Sequence, residues 1–334
     1  MPQLHPGEEF GMVEYDENQR GVHDYRDRYA GLPVLEVDPE EEAGELPAPD
    51  SVAWRLSADV YDSERDYAET FAWFLERVDT TKVTAIVIGA WEEAYDTSSD
   101  EVIRLLADNA ARFPALRSLF VGAMMSEECE ISWIQQSDVT PLLEAFPLLE
   151  RLEIRGGEGL VLRPVRHGAL RMLRLETGGL RGAVVRAVAE CDLPALERLE
   201  LWLGVENYGG DATVADLEAI LSGVRLPALR HLGLQDSELE DEIAAAVAAA
   251  PVVARLETLS LSMGVLTDVG AEALLTGQPL THLRRLDLHH HFMGDAMIKR
   301  LRESLPGVEV DLSEQEGGDD DGDGVVWRYV AVSE

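Results

Sequence analysis

The chain has two cysteines in 334 residues, Cys129 and Cys191. Two thiols so far apart build neither a disulfide framework nor a zinc-ligand cluster. Cations are also scarce. Lys and Arg number 28 against 64 Asp and Glu, a net charge of −36. That field repels phosphate at long range, so neither nucleic acid nor an anionic membrane surface is an expected partner. Over most of the chain it reads as a solubility surface. No uninterrupted apolar run reaches the ~20 residues that cross a bilayer. The opening Met1-Pro-Gln-Leu-His-Pro-Gly-Glu-Glu lacks the basic start and apolar run of a secretory signal, so a cytoplasmic location is expected. Local catalytic motifs are missing too. There is no Gly-x-Ser-x-Gly, no Gly-rich phosphate loop and no Cys/His pair with a supporting motif. No catalytic residue, metal or cofactor is expected, and the chain does not read as an enzyme.

A repeat is present instead. Leu283/Leu286/Leu288 has the spacing apolar–x–x–apolar–x–apolar. The same spacing occurs at Leu256/Leu259/Leu261, Leu229/Leu232/Leu234, Leu196/Leu199/Leu201, Leu170/Leu173/Leu175, Leu149/Leu152/Ile154 and Leu116/Leu119/Val121. Looser copies stand at Val83/Ile86/Ile88 and Val308/Val310/Leu312, making about nine copies 21 to 33 residues apart. Such a period means a solenoid, in which each unit buries its apolar face against its neighbours. Between copies, apolar residues fall at helical spacing. Examples are Val102/Ile103/Leu106, Val184/Val185/Val188, Leu217/Ile220/Leu221, Ile243/Val247, Ala271/Leu274/Leu275 and Met297/Ile298/Leu301. Helix starts are marked by Asp100, Thr140-Pro141, Thr267-Asp268 and Gly294-Asp295. Pro114, Pro147, Pro194 and Pro227 each precede the first leucine of the next strand by two residues and set its register.

Alternation of this kind predicts an α/β fold with parallel strands on a concave face and helices on a convex face. Three parts are expected. Residues 1–82 are an acidic, irregular segment followed by a capping strand at Val52–Leu56 and a helix near 64–78. Residues 83–313 are the array. Residues 314–334 are an acidic linker and a capping strand. In the linker, Asp319, Asp321, Asp323 and Gly324 match half of a calcium loop. The position of its bidentate glutamate holds Val330, so the stretch reads as a linker. Val326, Trp327, Tyr329 and Val330 are expected to cover the last repeat.

The pattern resembles the leucine-rich repeat of the long-repeat, ribonuclease-inhibitor-like kind, and Leu266–Leu275 is similar to its helical half. The segment Ile131–Pro147 resembles one from an actinobacterial group of leucine-rich-repeat proteins. The resemblance implies a horseshoe, and by analogy protein binding. Where that family often has Asn or Cys after the strand, this chain has Trp91, Met124, Gly157, Gly178, Gly204, Ser237, Gly264 and His291. Close turns at glycine are expected to replace an asparagine ladder.

Strand alternation gives the outward columns. They carry Arg151, Arg155, Arg174, Arg198, His231, Arg285 and His289, with Trp202 beside them. Two readings stand: a partner-binding face, or exposed pairing across strands as Glu153–Arg174–Glu200 and Arg155–Glu176. His289-His290-His291 cannot converge on one ion, because neighbours on a strand point to opposite faces. The longest intervals place additional residues just after strands, at 90–99, 124–137 and 203–212. These loops carry Trp91, Tyr95, Trp133 and Tyr208, the residue types of binding hot spots. The alternative is that Trp133 and Ile134 fold back over the sheet edge. The expectation is a monomeric adaptor or scaffold for a protein or peptide, with an accessory or inhibitory subunit of an enzyme as the other reading.

Overall fold

The computed structural model describes residues 22–23, 25–39, 46–58, 66–320 and 326–334. Twelve strands form one sheet in the order of the sequence. They are β1 (Arg28–Tyr29), β2 (Leu32–Glu36), β3 (Ala53–Leu56), β4 (Ala85–Ile88), β5 (Ser118–Val121), β6 (Arg151–Arg155), β7 (Met172–Glu176), β8 (Arg198–Gly204), β9 (His231–Ser237), β10 (Thr258–Ser260), β11 (Arg285–Asp287) and β12 (Glu309–Asp311). β1 is antiparallel to β2, and every later pair is parallel. The helices are α1 (Tyr67–Arg77), α2 (Asp100–Asp108), α3 (Thr140–Ala145), α4 (Gly182–Glu190), α5 (Val214–Ser222), α6 (Glu240–Val247), α7 (Asp268–Thr276) and α8 (Asp295–Ser304). Each strand pairs only with its neighbours in the chain, an arrangement compatible with a repeat solenoid.

The leucine register read from the sequence holds. Ile86, Leu119, Leu152, Leu173, Leu199, Leu232, Leu259, Leu286 and Val310 are successive cross-strand partners. From Ile86 to Leu286 they are at most 1% exposed. Burying each side chain contributes about 1.5–3 kcal/mol. Buried apolar residues of all eight described helices join the same core as this column, so the helices lie on one face of the sheet. The four prolines act as expected. The Leu116, Leu149, Leu196 and Leu229 amides donate to Phe113, Phe146, Leu193 and Leu226. That puts each proline second in a four-residue turn, where its fixed φ fits. Thr267 caps α7 by accepting from the Val269 amide.

The N-terminal part differs from the irregular segment expected. Leu35 and Trp54 extend the apolar column by two strands, through pairs Leu35–Trp54 and Trp54–Ile86. Leu32–Glu36 lacks clean alternation because only the two-residue strand β1 lies beyond it, and Leu32, Val34 and Leu35 are half-buried.

The C-terminal part also differs. β14 (Val326–Trp327) pairs antiparallel with β13 (Asp319–Asp320), and Val326 and Trp327 are exposed rather than covering the last repeat, while Tyr329 is half exposed. Val330 and Val332 are the buried ones. Asp321, Asp323 and Gly324 of the calcium-like stretch lie outside the described residues.

Candidate functional site

The helix-free face carries the charged columns. Its centre is three glutamates on adjacent strands: Glu153, Glu176 and Glu200 are 0, 1 and 3% exposed. Arg151 reaches Glu153 at 2.5 Å, and Arg155 reaches Glu176 at 2.8 Å. Arg174 lies between all three, 3.5 Å from Glu153, 3.3 Å from Glu176 and in contact with Glu200. Arg198 and His231 reach Glu200 at 2.8 and 2.9 Å. The cross-strand pairs read from the sequence therefore form, but they are buried rather than exposed. Burial alone would push the Glu153 carboxyl up; Arg151, Arg26 and Arg174 outweigh it and hold it well below the usual range. Burial likewise opposes, and Arg174, Arg198 and His231 overcome, so Glu200 is held down too. Burial and Arg198 lower His231, against the pull of Glu200.

Burial comes from a segment the sequence did not single out. Arg26 donates to Glu153 Oε2 and to Glu176 Oε1, both at 2.7 Å. Its guanidinium sits 4.6 Å from the Phe120 ring centroid. Tyr29 follows and packs with Ala53, Ala85, Val87 and Phe120 in a small second core. The space left between this segment and the sheet is ≈ 20 Å³, about the room one water needs. No periodic signal marks Arg26, because its partners are 127 and 150 positions away.

The three long loops leave from the carboxyl ends of β4, β5 and β8, as expected. Their aromatic residues separate into different environments. Trp91 is 2% exposed and belongs to the core, its indole N–H donating to Thr97 O at 2.9 Å, so it is not available to a partner. Tyr95 and Trp133 are 48 and 55% exposed, while Ile134 is buried in the main core beside Gly156. The first two loops are tied together by the Gln135 amide on Ala94 O at 2.8 Å. Ser99 also bonds Gln136 and Ser137 at 2.9 Å. Trp202 is buried with Val22, Ile131, Met263 and Val332. Tyr208 is half-buried, its hydroxyl on the Glu334 carboxylate. Glycine does permit close turns here: a Cβ on Gly204 would overlap the Gly178 carbonyl, and Gly204 has φ +68.

Residues 329–334 lie along this same rim. Tyr329 packs on the His290 and Phe292 rings at 5.6 Å each. The Ala331 amide donates to Met263 O at 2.7 Å, and the Val332 amide to Asp236 Oδ1 at 3.0 Å. A Cβ on Gly178 would overlap Ser333 O. The segment thus runs back from β11 towards β7 across the strand ends. Beneath it sit two carboxyls that sequence reasoning missed, Asp236 and Glu240, each 0% exposed. Asp236 Oδ2 has no hydrogen-bond partner among the described residues, and the Glu240 carboxyl has only the Ser237 backbone beside it to offset its burial. Burial raises both groups well above the ordinary carboxylate range, and Asp236 raises Glu240 further. Acids are too common in this chain for either to stand out by type.

Arg285 and His289 belong to a separate group at the far end of the sheet. Arg285 pairs with Asp311 at 3.2 Å, and His289 Nδ1 lies 2.7 Å from Asp287 Oδ1. Ligand atoms of Asp287, His289 and Asp311 lie within 4.8 Å of one another. Arg285 bridges the two carboxylates, at 3.7 and 3.2 Å. His290 and His291 face elsewhere, on Gly264 O and Leu312 O.

No described helix is long and apolar enough to cross a membrane. No protein-family model matches the chain, and no curated protein matches it. Among solved structures, the chain is similar to a Bacteroides fragilis protein determined as a structural-genomics target. The two are 31% identical with a TM-score of 0.74, over 80% of this chain and 76% of that one. At that identity and coverage, with twelve strands in chain order behind it, the chain belongs to the same family as this Bacteroides fragilis protein.

Proposed function

We propose that the chain is a leucine-rich-repeat horseshoe of the ribonuclease-inhibitor-like kind that binds a protein or peptide, as an adaptor or scaffold in the cytoplasm. The observation that carries this reading is the chain segment already seated on the rim. The Ala331 amide donates to the Met263 carbonyl and the Val332 amide to the Asp236 carboxylate, so the rim already holds a peptide backbone. Exposed Tyr95 and Trp133 stand on loops that leave the same rim, and large aromatics dominate binding hot spots. The arginine columns contribute support for the groove rather than contacts, since their charges are met by buried glutamates.

The test is affinity capture from the native host with the intact chain and with a Tyr95→Ala/Trp133→Ala variant. Both side chains are about half exposed, so the melt should stay within a few degrees. The reading expects a protein retained by the intact chain and lost by the variant. Retention of every captured protein by a folded variant overturns it.

A further inference from the structure

We infer that residues 329–334 are a removable occupant of the rim groove, and that the groove they fill takes an extended segment of another protein with aliphatic side chains two positions apart. The inference rests on the peptide-binding reading and names its ligand class.

Three observations carry it. First, the segment sets alternate side chains into the rim. Val330 and Val332 are buried at 6 and 7%, while Tyr329 and Ala331 are exposed, and the backbone bends at Ala331 between the two valines. Second, Val332 is buried with residues distant in sequence, Ile131, Trp202 and Met263. In their cluster these three side chains have no other apolar cover than Val22 and Val332. Third, the fit is incomplete. With the segment in place, Trp202 Nε1 and Asp236 Oδ2 remain buried without a hydrogen-bond partner among the described residues. Unmet buried polar atoms are costly. A segment that leaves both unmet is outcompeted by one that offers a donor and an acceptor at those places. By contrast, the N-terminal occupant of the sheet face is fully engaged, with Arg26 on two glutamates, and reads as permanent.

The probe is a labelled peptide of residues 327–334, Trp-Arg-Tyr-Val-Ala-Val-Ser-Glu, titrated by anisotropy. It is added to the intact chain and to a full-length Ala331→Pro/Val332→Asp variant. The proline removes the N–H that reaches Met263, and the aspartate puts charge beside Trp202. The variant should bind the probe at least about tenfold more tightly than the intact chain, because a tethered segment competes at about millimolar effective concentration. A control peptide with both valines changed to aspartate should not bind. The inference is overturned if the folded variant fails to bind, or if the intact chain binds equally well. It is also overturned if the variant does not fold, since a removable segment cannot carry the fold. Probe binding is independent of Tyr95 and Trp133, so failure here is distinct from failure of the capture experiment.

Discussion

Replacing Arg26 by alanine removes the cation that lies over two buried carboxylates. Its two bonds, 2.7 Å to Glu153 and 2.7 Å to Glu176, end on side chains 0 and 1% exposed, while Arg26 itself is 14% exposed. A hydrogen bond to a charged group contributes about 1.5–3 kcal/mol. Breaking a buried ion pair costs about 3–5 kcal/mol when a charge is left alone. Neither glutamate is left alone. Glu153 keeps Arg151 and Arg174, and Glu176 keeps Arg155 and Arg174. The expected loss is therefore about 2–4 kcal/mol, below the sum of the two bonds. At about 2 °C per kcal/mol for a chain of this size, the melt should fall by about 4–8 °C. A double-mutant cycle with Glu153→Gln isolates the pair, and its coupling energy should be about 1–3 kcal/mol. Calorimetric melts of the four proteins read both quantities. Arg26→Ala melting within a degree of the parent, or a coupling near zero, refutes the claim that this segment closes the charged face.

Leu259→Asp places an unpaired charge in the central column, where Leu259 is 0% exposed; a loss of several kcal/mol and unfolding of at least the C-terminal half should appear in the melt. Gly204→Ala should cost about 1–3 kcal/mol, because the methyl group meets Gly178 backbone and φ is +68. The pH profile carries two opposite contributions. Glu153, Glu176 and Glu200 have depressed folded values, so their stabilisation is present above the ordinary value of 4.5 and is lost as pH falls below it. Asp236 and Glu240 have raised folded values, so stability declines as pH rises above their ordinary 3.8 and 4.5. Glu240→Gln removes part of the second contribution. The variant should gain in melting temperature over the parent as pH rises from about 5 to about 9, and a constant difference across that range contradicts the assignment.

What the sequence conveys is what repeats. The leucine column, the proline turns and the pairs Arg155–Glu176 and Glu153–Arg174–Glu200 all follow from strand alternation and spacing, so each was legible. The position of the long loops followed from counting. What was not legible is what crosses the repeats. Arg26 and Val332 make their decisive contacts more than 90 positions away, and no local pattern encodes such a distance. That is why the charged columns read as exposed and are buried. Trp91 illustrates a related failure. A loop tryptophan is read as a hot spot by type, yet its side chain reaches back into the core and its indole N–H finds Thr97 O. Asp236 was hidden for another reason. Its backbone is left-handed, φ 56, which a non-glycine residue does not advertise.

The most direct test of the central claim is amide hydrogen exchange on the intact chain. The Ala331 and Val332 amides bond Met263 O and Asp236 Oδ1. The Leu261 and Leu288 amides bond strand neighbours at 2.9 and 3.0 Å. If residues 329–334 are a removable occupant of a peptide groove, the first two amides open locally. They should then be at least about a hundredfold less protected than the strand amides. Equal protection at all four positions would mean that the segment leaves only when the whole array unfolds, and would contradict the account.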